Sequence, residues 1–238
     1  HFEDALADFE RAIELDSQIA WAYAGRGETH RLMGSYNDAL TDLDHAIELD
    51  SQIVWAIACR GHTHQGLEHF EDALADFERA IELDSQIAWA YAGRGETHRH
   101  MGCYEKALTD LARAAEIDPG DGWYLYETAI VLHVMPHPDR DTHLARAAEL
   151  FVNAAADGDT AGSLRANGNL FIVQCAMQAW EKANRVMEHF LNSQPDTRQL
   201  RATLTDLKEA TTVFSLNTEH IGPLRNRLQT ALDEQLPQ

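Results

Sequence analysis

The sequence predicts an all-α solenoid built from repeated pairs of antiparallel helices. Residues 1–31 recur without a change at residues 69–99, and a weaker copy at residues 37–64 divides that shift into two units of 34 residues. A fixed period of this length is typical of arrays in which each unit buries its apolar face only against its neighbours. Within each unit the apolar residues recur at helical spacing.

Each unit divides into two helices. The first helix is predicted over residues 18–33 and the second over residues 37–49, because small and apolar residues recur along one side of each. Gly34 lies in the turn between them, where the end of a helix favours glycine. Asp50 offers a side-chain oxygen that would cap the next helix. Gly27 lacks a side chain, so we expect the paired helices to approach closely there.

The repeat decays in the second half of the chain. We predict near-identical units over residues 1–118, beginning within a repeat at a second helix. Degenerate units follow over residues 119–195, with a long turn at 134–141 where two prolines break any helix. Capping helices occupy residues 196–238. The helices predicted beyond residue 118 cover residues 122–134, 143–156, 161–177, 179–193, 197–213 and 219–235.

A longer pattern covers the first complete unit. Residues Trp21 to Asp50 follow W-A-Y-A-x-R-G-E-T-H-R-x-M-G-x-Y-x-x-A-L-x-D-x-x-x-A-I-E-L-D. This pattern resembles the tetratricopeptide repeat, in the form common in bacterial arrays, and its tandem copies make the signal specific. The resemblance covers about half of the chain. It implies a right-handed superhelix whose first helices line a concave groove, and it implies that the groove binds a protein or peptide.

The resemblance also indicates where a partner would bind. Residues one turn apart on the first helices would face the groove, with a floor of small residues at Ala24, Ala58 and Ala92. Tryptophan would line one edge, and glutamate and arginine the other. Two alternatives stay open: the tryptophans pack between successive hairpins, and the charged residues form pairs within their own helix. The candidate groove residues are Trp21, Glu28, Arg31, Trp55, His62, Gln65, Trp89, Glu96, Arg99, Trp123 and Tyr126.

The charge of the chain restricts its partners. Lysine and arginine number 19, aspartate and glutamate number 39, and the formal net charge is −20. A field of this sign opposes nucleic acids and anionic membranes and attracts a basic peptide or protein. The alternative is that the acidity only keeps the surface soluble. No lysine precedes Lys106, so the basic clamp with which related repeats hold the tails of heat-shock chaperones is absent.

Two sets of charged residues recur with the 34-residue period. Arginines stand at positions 26, 60 and 94, where the family usually has leucine, and aspartates stand at positions 42, 76 and 110. We expect them to pair between the two helices of each hairpin. The alternative is a charged stripe that docks a partner.

The remaining reactive residues predict no catalysis. His30, His64 and His98 share the repeat period, so we expect them to pack within the hairpins. Two histidines at positions 62 and 64 point in different directions on a helix, so we predict no metal site and no cofactor. Cys59, Cys103 and Cys175 are expected to be free thiols. The turn at 134–141 is the irregular place where an enzyme would need its site, and we predict that the chain is not an enzyme.

The leading hypothesis is therefore a protein- or peptide-binding scaffold or sensor module. We expect it to be cytoplasmic and part of a larger bacterial protein. Self-assembly through the stacking of identical units is one alternative, and a receptor for a small peptide is another. Identical units reflect copying, so specificity is expected in the divergent second unit and after Gly122.

Overall fold

The computed structural model describes residues 2–156 and 160–235, and they form helices joined by short turns. The helices are α1 (Phe2–Leu15), α2 (Ala20–Leu32), α3 (Tyr36–Leu49), α4 (Val54–Gly66), α5 (Phe70–Leu83), α6 (Ala88–His100), α7 (Tyr104–Ile117), α8 (Gly122–Val134), α9 (Arg140–Ala156), α10 (Thr160–Ala176), α11 (Trp180–Asn192), α12 (Thr197–Val213) and α13 (Thr218–Asp233). The predicted all-α repeat solenoid is confirmed. Among these described helices, none is long and apolar enough to cross a membrane.

The chain divides into two compact units, one ending at Ile117 and the other beginning at Asp118. In the first unit, α2 pairs with α3, α4 with α5 and α6 with α7, while α1 packs against α2. Successive hairpins then stack, because α2 contacts α4 and α4 contacts α6. The first helices α2, α4 and α6 thus form one layer, and α1, α3, α5 and α7 form the other.

The paired helices approach closely at the predicted glycine. A β-carbon built at Gly27 would lie 2.8 Å from Cγ of Leu43 and 3.1 Å from the carbonyl oxygen of Ala39. Gly95 meets Leu111 in the same way in the third hairpin, at 3.1 Å. The hairpins therefore pack at a distance that only glycine allows at this position.

The predicted caps differ from those in the structure. The residue before α4 is Ile53, and it makes no side-chain capping bond. Oδ1 of Asp50 instead accepts the backbone N–H of Gln52 at 2.9 Å, which is a turn within the loop. Aspartate favours such local turns because its short side chain reaches the backbone two residues later. The prediction that Asp50 caps α4 was wrong.

The second unit contains α8 to α13. Here α10 packs against α9, α11 and α12, and α13 packs against α11 and α12. Its core includes Phe171, Phe190 and Leu207, all fully or almost fully buried. Asp196 and Gln199 start α12 with a reciprocal capping box. The last two helices thus add apolar side chains to the core of the second unit.

Candidate functional site

A row of three tryptophans lies on the first-helix layer of the first unit. Trp21, Trp55 and Trp89 are each the second residue of their helix, so they occupy the same end of α2, α4 and α6. They are exposed by 58%, 43% and 36%. Trp21 also meets the ring of Phe9 edge to face, with 6.3 Å between the centroids. These tryptophans therefore rest partly on neighbouring side chains and still present indole surface to solvent. We call them the tryptophan row.

The predicted floor of small residues does not line an open groove. Ala24 and Ala58 are fully buried, and Ala92 is half-buried. Ala24 belongs to an apolar cluster that includes Leu43 and Cys59. This side of α2 therefore faces the next hairpin, and the expectation of an alanine floor was wrong for the first two units.

The charged edge begins with a pair in α2. Nε and Nη2 of Arg31 donate to the two carboxylate oxygens of Glu28, at 2.6 and 2.8 Å. The two residues are three positions apart, so this is the predicted pair within one helix. Burial raises the pKa of the neighbouring Cys59 thiol in α4, and the carboxylate of Glu28 raises it further. The pair thus lies at the contact between two hairpins.

In α4, the equivalent side chains connect hairpins. Nδ1 of His62 donates to Oε1 of Gln65 at 2.8 Å. Nε2 of Gln65 in turn donates to the carbonyl oxygen of Gly93 at 3.0 Å and to Oγ1 of Thr97 at 2.8 Å, both in α6. Burial lowers the pKa of His62, and the charge of Arg31 lowers it further. The side chain of Gln65 therefore links α4 to α6, and it also bonds to His62 within α4.

The charged edge ends in α6, at Glu96 and Arg99. Burial disfavours the charge of Glu96, but His100, whose Nε2 lies 3.8 Å from Oε1 of Glu96, and the charges of Arg99 and His62 outweigh it and hold the pKa of Glu96 below its ordinary value. Arg99 itself is buried. A partner could reach this edge only in part, so the tryptophan row is the more accessible part of the predicted groove.

The candidates in the second unit lie mostly inside it. Tyr126 is buried, with its ring 6.4 Å from that of Phe214. Trp123 is half-buried, and its ring centroid lies 5.0 Å from that of Tyr126. Tyr126 is therefore a core residue rather than a groove residue, which corrects the prediction. At the turn after α8, a hydrogen bond of 3.0 Å joins Nη1 of Arg140 and Nδ1 of His133.

The predicted pairing of arginine and aspartate is confirmed in all three hairpins. Each arginine of a first helix donates two hydrogen bonds to the aspartate sixteen residues later, with distances from 2.6 to 3.0 Å. A histidine nitrogen of the same helix lies 3.8 to 3.9 Å from that carboxylate. Since the aspartates are buried, these pairs stabilise the hairpins rather than form a surface for a partner. We call them the arginine–aspartate ladder. Its members are Arg26, Arg60 and Arg94 with Asp42, Asp76 and Asp110, beside His30, His64 and His98.

Charge is divided unequally between the two layers of the first unit. The first helices α2, α4 and α6 carry five arginines and two glutamates. The helices α1, α3, α5 and α7 carry seventeen acidic and four basic residues. The acidity of the first unit is therefore concentrated on the layer opposite the tryptophan row.

One group of ligand-type side chains was not indicated by the sequence pattern. His64 lies in the last turn of α4, His69 directly precedes α5, and Asp72 lies in the first turn of α5, so the group spans a turn. A helical wheel covers one helix at a time and cannot show residues that meet across a turn. The signal that could have found them is the five-residue spacing of the two histidines around a helix end.

Comparisons with known proteins agree with this architecture. Residues 60–122 match the family model described as "Tetratricopeptide repeat". Among solved structures, MamA from Desulfovibrio magneticus RS-1 (residues 41 to the end) superposes with a TM-score of 0.57 at 19% identity, over 66% of this chain and 88% of that one. A crystal structure of MamA gives 0.56 at 22% identity, over 65% and 91%.

A third solved structure has the same fold. TTC0263, a thermophilic protein of Thermus thermophilus, superposes with a TM-score of 0.56 at 19% identity, over 71% of this chain and 90% of that one. At these identities the solved structures show the fold alone. None of the curated proteins matches the chain in sequence. Residues 60–122 therefore match the tetratricopeptide repeat in sequence, and they lie within a solenoid of stacked helix pairs that shares its fold with these structures.

Proposed function

We propose that the chain is a protein-binding scaffold that holds a peptide segment of a partner against the tryptophan row. The exposure of Trp21, Trp55 and Trp89 carries this proposal. Tryptophan is a large apolar side chain that is enriched among the anchors of protein interfaces. Tryptophan is highly buried on average although rarely fully buried, so the row leaves more indole surface exposed than usual. An array that repeats an exposed indole once per hairpin offers a regular series of anchor points.

The spacing of the row restricts the partner. Packed helices lie about 8–10 Å apart, and an extended peptide advances about 3.3 Å per residue. An extended partner would therefore place an apolar or arginine side chain at about every third residue. The acidic layer formed by α1, α3, α5 and α7 lies opposite the row, so it would draw a partner of basic character toward the chain without contributing contacts at the row itself.

The test begins with peptides selected from a displayed random library against the full chain. We expect selected peptides to lose at least about tenfold in affinity in Trp55→Ala and Trp89→Ala, measured by calorimetry. Val152→Ala is the control, because Val152 is also an exposed apolar residue (52%) but lies in the second unit. Equal affinity in the tryptophan variants and the parent chain would reject this site. Arg99→Glu is unsuitable as a test, because Arg99 is buried and its loss would disturb the fold.

A second candidate function, self-assembly, is favoured by α1. Helices α1 and α5 have the same fourteen residues, yet α5 buries Ala73, Asp76, Phe77 and Ala80, while α1 buries none of its residues. A second copy of the chain could cover the flank of α1 that no helix of the described part covers. Light scattering over a range of concentrations decides this candidate. A molecular mass that stays at 26.7 kDa at the highest concentration would exclude it.

A further inference from the structure

We propose that His64, His69 and Asp72 form a binding site for a divalent transition-metal ion such as Zn²⁺. One ring nitrogen of each histidine and one carboxylate oxygen of Asp72 all lie within 4.8 Å of one another. Two imidazoles with one carboxylate are a ligand set that suits zinc and its neighbours, whereas Mg²⁺ and Ca²⁺ prefer oxygen ligands. The proposal does not depend on the proposed function, because it concerns a turn between two helices.

The backbone at the end of α4 brings the two histidines together. Glu68 adopts a left-handed conformation with φ of 61°, and the N–H of His69 then donates to the carbonyl oxygen of His64 at 2.9 Å. This six-residue closure is the usual way in which a helix ends before a second helix starts. It leaves the two imidazole centroids 5.9 Å apart. Asp72 lies one turn beyond His69 on α5, so its side chain returns to the same side.

His64 already has the environment of a metal ligand. Its Nδ1 is buried and has no hydrogen-bond partner among the described residues, and its Nε2 lies 3.9 Å from Oδ2 of Asp76. A buried nitrogen without a partner costs free energy, which a bound cation would recover. A carboxylate beside the second ring nitrogen is the arrangement that commonly orients a ligating histidine.

The other hairpins show which residues make this turn a site. Nδ1 of His98 is also buried without a partner among the described residues, but Cys103 and Lys106 stand where the second hairpin has His69 and Asp72. A lysine at that place repels a cation. The first hairpin combines a histidine and an aspartate with a serine, Ser35, in place of His69. The complete set of three is found in the second hairpin.

The geometry requires only a small adjustment. Zinc bonds to nitrogen or oxygen are about 2.0–2.2 Å long, so ligand atoms in a tetrahedral site lie about 3.3 Å apart. The separations therefore have to shrink by at most about 1.5 Å. His69 and Asp72 are exposed, and rotation of their side chains can supply this movement. Water would complete the coordination shell on the solvent side.

The experiment titrates the full chain with ZnCl₂ in a calorimeter. We expect one site per chain with a dissociation constant in the micromolar range, and a melting temperature that rises with added zinc because the ion binds the folded chain. His69→Ser should weaken binding at least tenfold and remove the thermal shift. This variant is safe for the fold, because Ser35 occupies the same place in the first hairpin and serine is a good residue before a helix.

Three further variants make the result specific. Asp72→Asn should weaken binding several-fold, since an amide is a poorer zinc ligand than a carboxylate. His189→Ser removes an exposed histidine of the second unit, and Cys103→Ser removes the thiol of the third hairpin; both should leave the affinity unchanged. The proposal is overturned if His69→Ser binds zinc like the parent chain, or if Cys103→Ser abolishes the strongest site. Equal competition by MgCl₂ would also overturn it.

Discussion

Glu68 shows at the scale of one residue how the copies of a repeat differ in local strain. The first and third hairpins place Gly34 and Gly102 at this turn, with φ of 81° and 75°. The second hairpin places Glu68 there, with φ of 61°. A residue with a β-carbon loses about 1–2 kcal/mol in this conformation, whereas glycine loses about 0.5–1 kcal/mol in chain entropy.

We therefore predict that Glu68→Gly raises the free energy of unfolding by about 0.5–1 kcal/mol. Urea denaturation followed by circular dichroism measures this change. Gly34→Ala is the matched control and should destabilise the chain by about 1 kcal/mol. A β-carbon at Gly34 meets nothing within 4 Å, so its effect reports backbone strain alone. A destabilising Glu68→Gly would mean that the glutamate side chain contributes more than the strain costs.

At the scale of the helix pair, Arg60 forms two ion pairs that differ in burial, so it allows their contributions to stability to be compared. Nε and Nη2 of Arg60 donate to Asp76, at 2.9 and 2.6 Å, and Nη1 donates to Asp44 at 2.7 Å. The side chain of Asp76 is 7% exposed and that of Asp44 is 56% exposed. The distances are alike, so the difference between the two pairs lies in their contact with water.

We predict that Asp76→Asn lowers the free energy of unfolding by about 2–3 kcal/mol, because it removes the buried carboxylate and leaves the partly buried guanidinium with only the exposed Asp44. Asp44→Asn should cost less than about 0.5 kcal/mol, since an exposed pair is screened by solvent. Both variants keep the size of the side chain, and chemical denaturation compares them directly. Equal losses would show that Arg60 gains the same from either carboxylate and that burial is unimportant here.

At the scale of the whole molecule, the dominant feature is the acidic layer of α1, α3, α5 and α7. Apart from the buried Asp42, Asp76 and Asp110, its acidic residues are exposed and repel one another, and the layer carries only four basic residues. At about 0.1 M salt the Debye length is about 10 Å, so repulsion between exposed charges farther apart than this is largely screened. We predict that raising NaCl from about 20 to about 200 mM increases the melting temperature, as measured by calorimetry. A decrease would mean that ion pairs such as the arginine–aspartate ladder outweigh the repulsion.

Much of the fold could be predicted because the repeat encodes it locally. Helices α8 and α12 have the bounds that were predicted, and α9 begins three residues earlier than predicted. The ladder was also predictable, because a charge copied once per hairpin at a fixed separation of sixteen residues indicates a partner across the helix pair. The hydrophobic period, the turn glycines and the copied charges are properties of residues close in sequence. They can therefore be recognised before the packing of the helices is known.

The candidate site was predicted less well, and the reason is physical. The pattern of a single helix shows which residues share a face, but not which neighbouring helix covers that face. Ala24 and Tyr126 were placed in a groove and are buried, because an adjacent helix covers the first and the core of the second unit covers the other. The tryptophan row differs because each of its members, at the start of its helix, keeps between 36% and 58% of its surface exposed.

The sequence by itself determined that this protein is an array of helix pairs, about where each helix begins and ends, and which charged residues join the pairs. Those features depend on contacts within one 34-residue unit, and each unit carries its own copy of the information. Only the tertiary structure decided which side chains remain accessible, that the acidity lies opposite the tryptophan row, and that His64 meets His69 and Asp72. These depend on how one hairpin stacks on the next and how the chain turns between helices, and both are set by packing in three dimensions.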